Sequence, residues 1–456
     1  MDIVSPIWRA EGLPEHALQQ LELDAGPACL PSSFGVGVAA QGSVALAASA
    51  GATLHAQRTS TDIQPVRVPL QAAERECTGL YRLNEHTPAT WAPFSGLYPT
   101  ADGHIRVHAN FDHHRDGVLK ILDLDPAHAS PDELAIRLSS WRAAAFEEAA
   151  MGDGLAVAMA RDFATWDRHP HAIWSHQQPL YRLHRLDDSE PRTLPDLNRN
   201  DRPLTGLKVL DLTRILAGPI CGRTLAAYGA DVLLINAPHL PNISAIVDTS
   251  RGKRSALLDL RKREDAAQMR KLLKDAHVFV QGYRPGGLAA LGLGPQQAAQ
   301  LRPGIVYVSL SAYGWGGAWE SRRGFDSLVQ TVAGFNLAEA AASGAQKPTS
   351  LPIPILDFAS GFLMAYAAQA ALYKQQTEGG SWHAEISLLQ TANWLRSLGQ
   401  DADGLQNRAE RLSSYLQSYP CTEGELLGMS HAAEFDHTPA RWSVPSAPPG
   451  SCPAQW

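Results

Sequence analysis

Four short apolar runs recur between positions 207 and 311: LKVLDL (207–212), DVLLIN (231–236), AHVFVQ (276–281) and IVYVSLS (305–311). Each is too short for a helix, carries β-branched residues and scarcely alternates with polar positions, which predicts strands buried on both faces. Between them the period changes. ICGRTLAAYG predicts a helix stopped by Gly229, and further helices are expected at 262–275 and 295–302. Strands alternating with helices predict a parallel sheet covered on both sides, an α/β fold.

Upstream of this region the apolar pattern breaks off. LDDSEPRTLPDLNRNDRPLTG (186–206) has no apolar periodicity and reads as a connection, with 191–206 as its linker. Before it, LYPTADGHIRVHANF predicts two short strands joined by a turn at Asp102-Gly103, and helical patterns follow at 114–122, 131–150 and 155–164. The expected fold is therefore a Rossmann-like parallel sheet domain at 207–400, with a smaller α+β domain placed N-terminal to it at 86–190. Residues 401–456 are expected to run as an extended, Pro-rich tail. The remaining segment, 1–85, contains GVGVAAQGSVALAASAGATL (35–54), charge-free but Ala/Gly-rich, which is expected to be a buried helix. Followed by QPVRVPLQAA (64–73), it echoes 359–373 followed by SWHAEISLLQTA (381–392). Residues 1–85 are on this reading a degenerate repeat of 352–396 that completes the α/β domain.

Composition narrows the function classes. With 456 residues, 45% hydrophobic and 19% charged, the chain suits a globular protein of two or three domains. A net charge of -7 supplies no basic field for nucleic acid or anionic lipid, so a small-molecule partner is expected, with no nucleic acid and no membrane. Five scattered cysteines without CxxC spacing indicate neither a disulfide framework nor a zinc site. No apolar core of a signal peptide is present near the N-terminus, and a cytoplasmic location is expected.

Candidate chemistry falls at strand ends. The turn LTRILAGP (212–219) lets a ligand approach the backbone at Ala217 and Gly218 and starts a helix at Pro219, but it lacks the GxGxxG dinucleotide fingerprint. SRGKRSALLDLRK (250–262) clusters cations around a strand, which fits phosphate neutralisation but from composition alone favours a solvated, salt-bridged face. Tyr283-Arg284-Pro285 makes a rigid turn carrying a ring and a cation. Asp357, in LPIPILDFASGF (351–362), stands where a helix begins, and from position alone its commoner role is an N-cap. His104, His108, His113 and His114 have no HExxH spacing and read as surface or hinge residues, and no metal site is expected.

In order along the chain, LDLTRILAGP, YGADVLLI, SRGKRSALLDL, VQGYRPGGLAALGLG, IVYVSLSAYGWGG, RRGFDSLVQTVAG, PILDFASGF and GGSWHAEISLLQ resemble the class III CoA-transferases, the CaiB/BaiF family, over about 206–395. The small domain resembles that family's as well, although here it precedes the α/β half instead of following it. The resemblance implies an acyl-CoA:carboxylate CoA-transferase in which Asp357 is the catalytic nucleophile and carries a covalent aspartyl-CoA thioester. It implies CoA contacts at Leu216 and Ala217, at Leu258, Asp259, Leu260 and Arg261, at Gly282, Tyr283 and Arg284, and at Arg323, Phe325 and Asp326. Coenzyme A is then a substrate, with no further cofactor, and the partners are an acyl-CoA, a carboxylic acid acceptor and a second copy of the chain in a homodimer. Departures from the pattern are Leu216 for a Gln, Asn236 for a Glu, and Ala237 and Ala290 for arginines; Arg254, Arg261 and Arg284 are the cations available to compensate. Phe325 holds the position of the His used by α-methylacyl-CoA racemases, and a phenyl ring moves no proton. The alternatives are a CoA-linked racemase or isomerase, and a catalytically degenerate acyl-CoA-binding protein.

Overall fold

The computed structural model describes residues 2–408 and 411–456. After a short helix (Ser5–Ala10) and a short strand (Leu21–Asp24), the chain forms a long helix α1 (Val36–Thr59), a short strand β1 (Val66–Pro69) and helix α2 (Leu70–Cys77). The small unit follows with β2 (Gly96–Thr100), β3 (Gly103–Val107), α3 (Asp112–Ile121), α4 (Pro131–Ser139), α5 (Ala143–Gly152) and β4 (Val157–Met159). Strand β5 (Tyr181–Arg185) leads through the linker to β6 (Lys208–Leu212), α6 (Ala217–Ala227), β7 (Asp231–Asn236) and β8 (Lys253–Leu257). Then come α7 (Arg263–Asp275), β9 (Val278–Gln281), β10 (Val306–Ser311), α8 (Asp326–Val332), α9 (Ile355–Glu378), β11 (Trp382–Ser387) and α10 (Leu388–Ser397).

The apolar runs pair as expected for strands covered on both faces. The seven-stranded sheet has the order β8-β7-β6-β9-β10-β11-β5. Its first six strands are parallel, with Val209 opposite Val278 and Val280 opposite Val308 setting the register across the centre. Numbered along the chain, these six lie in the order 3-2-1-4-5-6, that of a doubly wound sheet, and the fold is α/β. Such an order reverses between β6 and β9, which opens a crevice at the carboxyl ends of those two strands. β5 runs antiparallel to β11 at the edge, so the chain enters the main sheet directly from the small unit, before the linker. Arg58 on α1 donates to the carbonyls of Pro195, Pro203 and Thr205 and fixes that linker to the main body.

The small unit has its own core, with Ile105, Leu119, Leu134, Phe146 and Val157 at or near full burial. Residues 157–159, placed by pattern in a helix over 155–164, instead form the third strand of the β2-β3-β4 sheet. Val157 pairs with Val107, and this lateral pairing outweighs the local helical period.

The two longest helices, α1 and α9, are each long and apolar enough to cross a bilayer, and each is packed inside the molecule. They lie side by side. Their small residues permit a close approach, and Gln369 bridges them by donating to the carbonyl of Ala47 at 2.9 Å. On its other side α9 meets α6, where a Cβ on Gly361 would sit 2.5 Å from the carbonyl of Ala217. The same helix, strand, helix order occurs in α1-β1-α2 and α9-β11-α10, with each strand running straight into its second helix.

Residues beyond 411 lie over the α/β unit. Glu434 and Phe435 pair with β1, while the Trp442 indole donates to the carbonyl of Arg223 and the Trp456 indole to that of Leu272.

Candidate active site

The crevice predicted by the strand order is present as a cleft of about 330 Å³. Its floor is the turn after β6 (Leu212, Arg214, Ile215) and the turn after β9 (Gly282 to Pro285). Loop 320–325 and the start of α3, with Phe111, His113 and His114, form the facing wall. Ile215 is held at φ 74°, a left-handed conformation that costs a β-branched residue on the order of 1–3 kcal/mol. The turn is braced from below. Asp211 accepts from the Thr213 hydroxyl at 2.5 Å and from the Lys253 ammonium at 2.8 Å, and Lys253 also donates to the carbonyl of Pro219 at the start of α6. This Lys–Asp pair is fully buried, so removing one partner would strand the other charge.

Among the described residues, four guanidiniums reach the cleft against a single carboxylate, Glu320. Arg322 is anchored from behind by Glu147 of α5 at 2.8 Å, and Glu147 also takes Arg161. Burial would raise the Glu147 carboxyl, but Arg161 and Arg322 outweigh it and bring it down to about 2. Arg214, Arg284 and Arg323 have no carboxylate among the described residues; Arg214 donates only to the carbonyl of Pro241. Burial, with Arg284 alongside, lowers the pKa of Arg323. Crowded guanidiniums without anions make a site for a polyanion such as a phosphate group. Among the described residues no group of three or more His, Cys, Asp or Glu is placed to hold a metal.

Beside the cleft, the loop that supplies Phe325 continues into α8, whose first residue is Asp326. Asp326 is buried, and its Oδ2 accepts from the backbone N–H groups of Leu356 (2.8 Å) and Asp357 (3.1 Å) at the start of α9. Its Oδ1 accepts from the Gln330 amide at 2.5 Å. Asp357 itself is half-buried. Burial and the neighbouring Asp326 charge push the Asp357 carboxyl well above the usual carboxylate range, and burial raises Asp326 to about 6 in spite of its hydrogen bonds. The Phe325 ring is stacked on His108 of the small unit at 3.8 Å.

Of the residues singled out in the sequence, Gly282, Tyr283, Arg284, Arg323 and Phe325 line the cleft together. Leu216 and Ala217 lie at the start of α6, just beyond the lining. Leu258 to Arg261 follow β8, two strands away from the β6–β9 crevice, where Arg261 forms a bidentate pair with Asp259 at 2.8 Å. Of the compensating cations, Arg284 faces the cleft, but Arg254 pairs with Asp231 near the amino ends of β7 and β8. Asp326 lies beneath α9 and not on the cleft surface, and Asp357 is joined to the cleft through the Phe325–Asp326 step. The glycine loop 314–317 does not reach the lining; Gly314, Gly316 and Gly317 pack against the Trp174 indole.

Sequence reasoning missed Arg214, Arg322, His113 and His114. Arg214 had a signal, because it follows the first strand of a doubly wound sheet, where ligands meet the chain. The histidines had none, since only the docking of α3 brings them to the cleft.

A family model described as CoA-transferase family III matches residues 204–434, just over half of the chain. An acetyl-coenzyme A transferase of Hypoxylon pulicicidum is 34% identical over 204 residues, covering 43% of this chain and 34% of its own. A succinate–glutarate CoA-transferase of Agrobacterium fabrum is 30% identical, covering 51% and 64% respectively. A probable fatty acyl-CoA transferase of Mycobacterium tuberculosis is 32% identical, covering 47% and 56%. A solved structure of that mycobacterial protein matches 43% of this chain with a TM-score of 0.40 and 33% identity. The chain thus spans between a third and just under two thirds of the length of these curated relatives.

Proposed function

The chain belongs to CoA-transferase family III, and on that premise we propose that it moves CoA from an acyl-CoA to a carboxylic acid acceptor, with Asp357 as the covalent nucleophile. The observation that carries the reading is the pairing of a carboxylate at the start of α9, without a hydrogen-bond donor among the described residues, with an adjoining cleft in which Arg214, Arg284 and Arg323 have no carboxylate among those residues. The cleft would take the phosphates of CoA, with Arg284 and Arg323 as their nearest cations.

In the first half-reaction an Asp357 oxygen attacks the thioester carbonyl and the CoA thiolate leaves, giving an acyl-aspartyl anhydride. The thiolate then attacks the aspartyl carbonyl of that anhydride and the donor acid departs as its carboxylate. An aspartyl-CoA thioester remains. The acceptor carboxylate attacks this thioester, releasing thiolate and forming a new anhydride. Attack of the thiolate on the acyl carbonyl yields the new acyl-CoA and regenerates Asp357. Each step exchanges one acyl bond for another, so no redox partner or metal enters the balance. The reading requires the thioester to pass the Phe325 ring on its way to Asp357. Phe325 carries no exchangeable proton, which weighs against α-epimerisation at this site.

Intact-protein mass spectrometry after incubation with acetyl-, succinyl- and palmitoyl-CoA tests this. The expected result is a hydroxylamine-labile adduct that maps to Asp357 and is lost in Asp357→Asn. CoA binding without any adduct would instead identify a binding protein, and solvent exchange of the α-proton without an acceptor would identify an isomerase.

A further inference from the structure

A carboxylate in the first turn of a helix ordinarily accepts a free backbone N–H, which stabilises its charge and lowers its basicity. At the start of α9 no such donor is left for Asp357. The N–H of Ile355 bonds to the carbonyl of Ile353 (2.8 Å) and that of Phe358 to the carbonyl of Pro354 (3.1 Å), while those of Leu356 and Asp357 both go to Asp326 Oδ2. Phe358 thereby makes the first intrahelical bond, and the three N–H groups that this helix start leaves over, Pro354 at its N-cap having none, are all accounted for. The Asp357 side chain makes no hydrogen bond among the described residues, and the carboxylate that took its donors lies beside it.

We propose that Asp326 is a positioning residue: by occupying the donors at the start of α9 it leaves the Asp357 carboxylate unsolvated by the backbone and next to a second negative charge, which keeps it strongly nucleophilic. The inference rests on the reading of Asp357 as the group that attacks the thioester. A carboxylate stripped of hydrogen bonds is more basic, and within one class of nucleophile greater basicity brings faster attack. The geometry also separates two duties that one residue could not perform together. Asp326 caps the helix, and Asp357 is free to react.

The charged groups around the pair are few. Among the described residues Asp326 is the one charged side chain that acts on the Asp357 carboxylate. On its far side Asp326 faces Arg106 of β3, whose guanidinium is held by the Thr331 hydroxyl at 3.4 Å and the Ser350 hydroxyl at 2.5 Å. Both carboxyls are raised by burial, so the pair loses its protons in two coupled steps above the ordinary carboxylate range. Attack requires ionised Asp357, and the rate therefore falls as pH drops through its raised value.

The test follows the rate of adduct formation on Asp357 against pH, by quenched mass spectrometry with whichever of acetyl-, succinyl- or palmitoyl-CoA labels the wild type. Asp326→Asn keeps the size and one acceptor oxygen but removes the charge. Its acid limb is expected to move down by about one pH unit and its plateau rate to fall about tenfold, because the neighbouring charge no longer opposes ionisation. The dissociation constant for CoA should stay within about twofold, since the cleft is untouched. Gln330→Met supplies a second route should Asp326→Asn fail to fold. Losing this donor raises Asp326 further, keeps it neutral over more of the pH range, and shifts the acid limb in the same direction. Profiles that superimpose on wild type, or that fall uniformly without a shift, would overturn the role of Asp326. Absence of any adduct on wild-type Asp357 would overturn the underlying reading instead, so the two failures are separate.

Discussion

Arg284 and Arg323 stand side by side in the cleft without a carboxylate, whereas Arg261, equally basic on paper, is locked onto Asp259. Arg284→Ala and Arg323→Ala should each weaken CoA binding about tenfold, with less salt dependence remaining, because a charge-assisted bond to phosphate is worth roughly 1.5–3 kcal/mol. Arg261→Ala should leave affinity nearly unchanged. Calorimetric titration with CoA at low and moderate salt distinguishes these outcomes. Charge at single positions was thus legible in the sequence, but its availability was not. SRGKRSALLDLRK offers five cations, and Lys253, Arg254 and Arg261 are engaged by Asp211, Asp231 and Asp259. Strand register decides which of them face ligand, and register is a property of pairs of strands.

Among the elements, α9 places the nucleophile and is gripped on several sides: α1 along one flank, α6 along another, and Asp326 at its start. The contact with α6 is backbone-close at Gly361. Gly361→Leu should therefore force α6 and α9 apart and destabilise the fold by about 1–3 kcal/mol, as overpacking does in tight cores. Urea unfolding measures the loss, and the Asp357 adduct yield should fall with it, since the helix start moves relative to the cleft. The alternation of β6 to β10 with helices was legible because parallel strands buried on both faces need unbroken apolar runs. β5 was not, since YRLHR is short, polar and held at an edge by β11 alone. The bond from Asp326 to the start of α9 was also hidden, because its partner is a backbone N–H that no side-chain pattern records.

At the scale of the molecule, a buried ionic network joins segments far apart in sequence. Glu76 of α2 accepts from Arg223 at 3.2 Å, from the backbone of Ala432 at 2.8 Å and pairs with His431 at 3.0 Å, while Asp248 holds both Arg223 and Arg251. Arg251 in turn lies 4.0 Å from the Trp442 ring. Burial alone would raise the Glu76 carboxyl, but His431 and Arg223 outweigh it and depress it. A depressed carboxyl contributes stability above its unfolded pKa and loses it as pH falls through the folded value. Glu76→Gln should therefore cost about 3 kcal/mol near neutrality, as breaking a buried pair does. The gap to wild type should close as pH falls below the ordinary carboxylate value, and thermal melts across that acid range provide the check.

The close fit of α1 against α9 also has a cost during synthesis. Gln369 and its acceptor Ala47 are 322 positions apart. At roughly 5–20 residues per second a ribosome takes on the order of half a minute to supply the partner. Throughout that interval a 24-residue helix rich in Ala, Gly and Val has none of its final neighbours from α9. The later-made α9 thus decides whether the earlier-made α1 is sheltered, and the packing of α1 waits on the synthesis of α9.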